Sequence, residues 1–290
     1  MQALGIDIGG TKISYCLTNE KGEILNEIQK ISTPKTKQEI EYALKKIISG
    51  FEQDILFTAI ATAGTVNNEN TKIIGSTANL PKGYKEIDFQ NLSSKKVILE
   101  NDANCAAIAE SKIGAAKDTN HSITITLGTG VGSGIIINNK LLKGKSGAAG
   151  EMHFIMSRIP KRSCTCGFYD CWEAYASGNG LKKTGIEISN NPDITTYDII
   201  SGLKNNDKSS RKIFEIWQND IILGIAGLAN IFDTELVVLS GSMGQFVEIN
   251  KVEELVNENI VAAPIKIKHA KLGNLCGMIG AVLLGFEVVK

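Results

Sequence analysis

A carboxylate standing where a strand hands over to a helix can do two kinds of work. In V-I-L-E-N-D-A-N-C-A-A-I-A-E, residues 97–110, Asn101 and Asp102 hold that place. Asp102 can cap the helix, the commoner use of such a residue. It can also take the proton of an acceptor hydroxyl while a phosphoryl group moves onto the oxygen, which requires a carboxylate beside an oriented alcohol. The carboxyl end of a predicted strand is where open α/β sheets put their ligands, so the second use stays open. Asn101 offers an amide that can orient a hydroxyl, and Asn104 reads as structural.

Three glycine turns suit phosphate. In D-I-G-G-T-K, residues 7–12, Gly9 and Gly10 admit backbone dihedrals closed to other residues, Thr11 adds a hydroxyl and Lys12 a charge. Asp7, ending the strand before the turn, is placed to act on a phosphate-bound Mg²⁺ through water. L-G-T-G-V-G-S-G, residues 127–134, supplies a second turn at Gly128, Thr129 and Gly130. S-G-S-M-G, residues 240–244, supplies a third at Gly241 and Gly244, small enough to leave room for a flat adenosine. Neither a dinucleotide fingerprint nor a P-loop fits, because β-branched residues follow the first two turns and a strand, not a helix, comes next. Each turn alone is equally a glycine-rich hairpin without a ligand. Together they suggest a nucleotide held in a cleft between two domains.

The run C-T-C-G-F-Y-D-C brings Cys164, Cys166 and Cys171 within eight residues, three of the six cysteines in the chain. It is not a C-x-x-C redox pair. Thiolates at these spacings converge on one Zn²⁺ when a histidine completes the shell, or form a reduced loop with no metal.

The elements that must position these groups are legible as strand–loop–helix alternation, which points to α/β layers. A-L-G-I-D-I and I-S-Y-C-L read as strands around the first turn. Residues 37–50 carry helical apolar spacing at Ile40, Leu44, Ile47 and Ile48. I-L-F-T-A-I-A and V-I-L-E are buried strands, and Ala103–Ala116 is a helix. After a polar break at Lys117–His121 the strand–turn–strand pattern restarts, as two lobes of one topology would require. A long helix near Ser209–Phe232, the strand E-L-V-V-L, a helix near Val252–Asn259, the strand I-K-I-K and a last helix from about Gly277 follow. The expected lobes are 1–117, completed by helix 277–290, and 118–276. The 290 residues are 43% hydrophobic and 21% charged, with 31 basic against 31 acidic side chains. Zero net charge gives no field toward nucleic acid or an anionic membrane. No apolar run spans a bilayer and the start lacks a signal peptide, so a cytoplasmic, reducing compartment is expected, where clustered thiols favour metal over disulfides.

In order, D-I-G-G-T-K, E-N-D-A-N, L-G-T-G-V-G-S-G-I, G-A-A-G-E, C-T-C-G-F-Y-D-C-W-E, S-G-S-M-G and G-M-I-G-A resemble the ROK family of sugar kinases and repressors over nearly the whole chain. The resemblance implies two actin-like lobes, a ribonuclease H-like duplication, with the active-site cleft between them. It implies ATP with Mg²⁺ as cosubstrate, a sugar acceptor, Asp102 as general base and a homodimer. Gly64, Asn79, Asn101, Glu151, His153 and Glu173 become sugar contacts. Cys164, Cys166, Cys171 and His153 become ligands of a structural Zn²⁺. The family usually has G-E-x-G-H where this chain has G-E-M-H-F, one glycine short, and Asp170 stands where the family favours glycine. Repressor members carry a DNA-binding extension ahead of the first turn; here the turn begins within a few residues. The loop A-T-A-G-T-V, residues 61–66, lacks a proline frequent in glucose-directed members, so the implied acceptor is N-acetylmannosamine, with glucose, fructose and N-acetylglucosamine as alternatives.

Overall fold

The computed structural model describes residues 1–75, 80–152, 154–156 and 162–289. The chain forms two compact units. One holds residues 1–118, 134–150 and 271–290, the other residues 119–133 and 151–270.

The first unit is built on β1 (Gln2–Ile8), β2 (Lys12–Asn19), β3 (Gln29–Ser32), α1 (Lys37–Ser49), β4 (Thr58–Thr62), β5 (Val97–Asn101) and α2 (Asp102–Lys112). Its sheet runs β3-β2-β1-β4-β5. β1 pairs antiparallel with β2 and parallel with β4, and β4 pairs parallel with β5. Every residue of T-A-I-A-T in β4 is buried, as expected of a central strand covered on both faces. On one face α1 inserts Ile40, Leu44, Ile47 and Ile48. A capping box fixes its start: Thr36 accepts from the Glu39 N–H, and the Glu39 side chain accepts from the Thr36 N–H.

The chain continues through β6 (Ser122–Leu127), β7 (Val131–Ile137), β8 (Lys140–Leu141), α3 (Glu173–Ala176), α4 (Gly178–Ser189), α5 (Thr196–Lys204), α6 (Lys208–Phe232), β9 (Leu236–Ser240), α7 (Gly241–Gly244), α8 (Ile249–Asn257), β10 (Lys266–His269) and α9 (Cys276–Val289). The second sheet runs β10-β9-β6-β7-β8. Read from the far edge, 8-7-6-9-10 repeats the 3-2-1-4-5 order of the first sheet. β6, β9 and β10 are parallel, as β1, β4 and β5 are. The echo between the first two glycine turns therefore has a structural basis: each joins the central strand of its sheet to the next.

α9 returns to the first unit and covers the other face of its sheet, burying Ala281, Val282 and Phe286 against Ala3, Phe57 and Ala59. It crosses α2 so closely that a Cβ on Gly280 would lie 1.8 Å from the Cys105 carbonyl oxygen. In the second unit α6 is the spine. Trp217 donates from its indole to the Ala176 and Ser177 carbonyls, and Trp172 donates to that of Asp220. Among the described residues, no helix is long and apolar enough to cross a membrane.

Candidate active site

In the first unit, parallel strands deliver two carboxylates to one end of the sheet. Asp7 lies in β1 opposite Ala61, and Asn101 ends β5 opposite Thr62. Asn101, not Asp102, caps α2: its Oδ1 accepts the N–H groups of Ala103 and Asn104 at 3.0 and 3.2 Å. Its Nδ2 donates to the Gly64 carbonyl at 3.1 Å, which ties Gly64, at φ +95°, to the β5–α2 corner. The Asn101 amide, expected to orient a sugar hydroxyl, also braces the frame. Asp102, relieved of the principal capping role, is exposed on the first turn, its Oδ1 accepting the Ala103 N–H at 2.9 Å.

Asp7 is partly buried. Desolvation first, and the nearby Asp102 charge second, push its carboxyl up to about 7, against a smaller lowering by Lys12. Gly277 makes room for it; a Cβ there would lie 3.2 Å from Asp7 Oδ2. The turn itself is closed by the Gly9 N–H donating to the Lys12 carbonyl at 3.0 Å and by the Thr33 hydroxyl donating to the Gly9 carbonyl at 2.6 Å. Gly10, Thr11 and Lys12 are exposed along it. Beneath, Tyr84 and Thr62 share a buried hydroxyl–hydroxyl bond of 2.8 Å. Burial pushes the Tyr84 phenol up, and the Asp102 and Asp7 charges push it in the same direction. A second buried group escaped sequence analysis. Glu100, fully buried at the end of β5, forms an ion pair of 2.8 Å with Lys143. The signal was present: a lone carboxylate closing the apolar strand V-I-L-E needs a partner.

In the second unit the other two turns meet. Gly241, at φ +83°, approaches the Leu127 backbone so closely that a Cβ would lie 2.4 Å from its carbonyl oxygen. The Gly178 N–H at the start of α4 donates to the Gly128 carbonyl at 2.8 Å. The Gly128–Gly130 turn thus lies beside the N-terminus of α4, a place suited to anions, with Gly241 against the strand end before the turn and Gly244 ending α7. Glu173 braces this turn. Its Oε2 accepts the Val131 N–H at 3.1 Å and its Oε1 accepts the Thr165 hydroxyl at 2.6 Å. A side chain on Gly130 would collide with it, since a Cβ would sit 2.5 Å from Oε2. Glu173, expected as a sugar contact, here links the Gly128–Gly130 turn to the cysteine loop.

Cys164, Cys166 and Cys171 converge with their sulfurs within 4.8 Å of one another, and Cys166 and Cys171 are 3.4 Å apart. Tetrahedral Zn²⁺ with bonds of about 2.3 Å needs sulfurs about 3.8 Å apart, so the set fits the ion with small adjustments. Burial pushes the Cys171 thiol up to about 12 and also raises that of Cys164. At Cys166 burial acts the same way, but the Phe168 N–H and the neighbouring thiols outweigh it and lower the group. The loop is braced below by Asp170, at φ +58°, in the αL region that favours glycine. Its Oδ1 accepts the Arg162 N–H at 2.7 Å and the Tyr175 hydroxyl at 2.6 Å. Phe154 stacks on Trp172 with ring centroids 5.3 Å apart. Glu151 is exposed at the start of the second unit's longer segment. Asn79 and His153 lie outside the described residues.

A fold of two like sheets, with an acid at a strand end and paired glycine turns, belongs to a class that comparison identifies. The ROK family model matches residues 3–287, and the chain belongs to that family. It is 30% identical to a glucokinase of Streptomyces coelicolor over 98% of this chain and 97% of the relative. It is 29% identical to an N-acetylmannosamine kinase of Haemophilus influenzae over 97% and 94%. Among solved structures it resembles a ROK family glucokinase of Streptomyces griseus in complex with glucose and AMPPNP. The TM-score is 0.82, with 28% identity over 98% of this chain and 99% of the other. The two kinase types match about equally well, so the narrower likeness to N-acetylmannosamine kinases does not stand alone.

Proposed function

We propose that the protein transfers the terminal phosphoryl group of ATP to the 6-hydroxyl of a hexose of the glucose type. It is an enzyme of the ATP-dependent sugar kinase class, supported by family membership and by a glucokinase likeness across almost the whole of both chains. The observation that carries the mechanism is the division of labour at the β5–α2 corner. Asn101 fixes the helix start, leaving Asp102 exposed on a rigid first turn. Asp102 takes the proton of the 6-hydroxyl as the oxygen bonds to the γ-phosphorus, and the bridging oxygen leaves with ADP. Asp7 would hold a water of the nucleotide's Mg²⁺, which supplies charge neutralisation on the phosphate oxygens. Gly9 to Lys12 and the Gly128–Gly130 turn would hold the phosphates, and the 241–244 turn the adenosine. Gly64, Asn79, Asn101, Glu151, His153 and Glu173 remain proposed sugar contacts. Structural Zn²⁺ on the three cysteines with His153, and a homodimer, complete the reading.

N-acetylmannosamine is the second acceptor reading. The alignment to the Haemophilus kinase takes 289 positions over 97% of this chain and that to the Streptomyces glucokinase 321 positions over 98%, so the first needs fewer inserted positions against this chain than the second. A coupled ADP-release assay with glucose, fructose, N-acetylglucosamine and N-acetylmannosamine decides. The highest kcat/KM with glucose supports the first reading, and with N-acetylmannosamine the second. No sugar-dependent ADP release with any of them overturns both.

A further inference from the structure

The functional reading leaves one buried cluster unused. Glu100 has no exposed side-chain surface, and its carboxylate accepts four hydrogen bonds. Oε1 takes the Asn101 N–H at 2.8 Å and the Asn104 amide at 3.1 Å. Oε2 takes the Asn70 amide at 2.9 Å and the Lys143 ammonium at 2.8 Å. A carboxylate in a buried sheet strand is costly unless paired and fully hydrogen-bonded. A fold needing only packing would place an aliphatic residue there, as it does at Val97, Ile98 and Leu99.

The partners come from three separate segments. Asn101 carries the corner on which Asp102 stands. Asn70, at φ +60°, ties the 66–73 hairpin to β5 through a second bond from its amide to the Leu99 carbonyl at 2.7 Å. Lys143 also donates to the Asn67 carbonyl at 3.0 Å, and Asn68 donates to the carbonyls of Gly144 and Lys145. Gly147, at φ +94°, lies against Val66, where a Cβ would be 1.9 Å from the carbonyl oxygen. One carboxylate therefore sets the loop that follows Gly64, the corner of Asn101 and Asp102, and the segment leading toward Glu151.

We propose that Glu100 and Lys143 are a positioning pair for the acceptor site. Their contacts fix Asn101 and Asp102 against the two neighbouring loops, and their opposite charges balance the field in which Asp102 receives its proton. This rests on Asp102 being the base. Among the described residues, the Asp102 charge acts on Asp7 of β1, which Lys12 moderates, and on Tyr84 and Cys105. Tyr84 and Cys105 are kept neutral by burial; removing Lys143 leaves the Glu100 charge uncompensated two residues before the base, and removing Glu100 leaves the Lys143 charge uncompensated at the same pair.

The test is the pH dependence of kcat/KM for the sugar in wild type, Lys143→Met and Glu100→Gln, which reads the free enzyme's base. Both variants should lose about 10- to 100-fold in kcat through misplacement of the acceptor site, with KM for ATP within about twofold. The acid limb should move to higher pH in Lys143→Met, where an anion is left behind Asp102, and to lower pH in Glu100→Gln, where a cation is left. Limbs that do not move, or move together, overturn the proposal, because a merely structural role lowers activity without opposite shifts. Lys143 is partly exposed, so its variant reads the pair even where Glu100→Gln folds poorly. Amide exchange at Asn101 supplies an arm independent of turnover. Faster exchange in both variants than their global stability predicts supports the pair, and wild-type protection overturns it. Failure of the wild type to turn over any sugar is a separate result that refutes the kinase reading, leaving the exchange arm to decide the positioning.

Discussion

Replacing Asp7 by Asn should flatten the pH dependence of stability in the nucleotide-free protein. The folded protein raises this carboxyl from 3.8 to about 7, through desolvation first and the Asp102 charge second. The proton is therefore bound more tightly in the folded state than in the unfolded one. Its contribution to stability is fully present below about pH 4 and is lost as pH rises toward 7. Within that window each step of one pH unit costs the folded state about 1.4 kcal/mol, so between pH 5 and pH 8 the wild type should lose about 3 kcal/mol from this group. Asn does not titrate and escapes that loss. Urea unfolding of both proteins at the two pH values, in chelator, gives the difference directly. The variant should gain about 3 kcal/mol on the wild type between pH 5 and pH 8, while losing its activity. A gap that stays constant across that range would refute the reasoning, since it would mean that Asp7 is ionised throughout.

Gly130→Ala drives a methyl toward the Glu173 carboxylate; KM for ATP should rise about tenfold with KM for sugar little changed, and an unaltered ATP KM would remove Glu173 as the brace of that turn. Gly280→Ala must part α2 from α9 and should cost about 1–3 kcal/mol by urea unfolding; wild-type stability would show that the crossing is not tight. Elemental analysis of protein purified without chelator should find about one zinc per chain, lost in Cys171→Ser; well below half an ion per chain, with activity intact, rejects the metal.

Periodicity and turn chemistry made much of the scaffold readable. The spacing of Ile40, Leu44, Ile47 and Ile48 predicts a helix over 37–50, and α1 spans Lys37–Ser49. The predicted helices near 209–232 and from 277 onward correspond to Lys208–Phe232 and Cys276–Val289. The sequence signals passed over α4 and α5. G-N-G-L-K-K-T-G looks like a turn because glycine is a poor helix former. Tertiary contacts override that propensity: Ser177 caps the helix by accepting the Gly180 N–H, and Gly185 lets Ile199 approach. The stretch E-I-L-N-E-I-Q-K-I, residues 23–31, holds an isolated bridge at Ile24 and the start of the strand Gln29–Ser32.

The site was less legible than the scaffold. Motif spacing singles out Asp102 as the candidate base, but it cannot show that Asn101 is the cap, because both residue types cap equally well. Glu173 follows the last cysteine in a recognisable motif, yet its bond to Val131 crosses 42 residues of sequence. Lys143 lies 43 residues from Glu100, and neither residue has a spacing rule that joins it to the other. Such pairings are set by the sheet order, which brings the segments together only after folding.

The central claim is that Asp102 is the base in phosphoryl transfer to a sugar. Its most direct test is single-variant kinetics of Asp102→Asn under saturating ATP and saturating best sugar, with both affinities measured by calorimetry. The account predicts turnover reduced by about 10²- to 10⁴-fold while sugar and ATP affinities stay close to wild type, because the carboxylate acts chiefly as the proton leaves. A variant that keeps more than a tenth of wild-type turnover would contradict it.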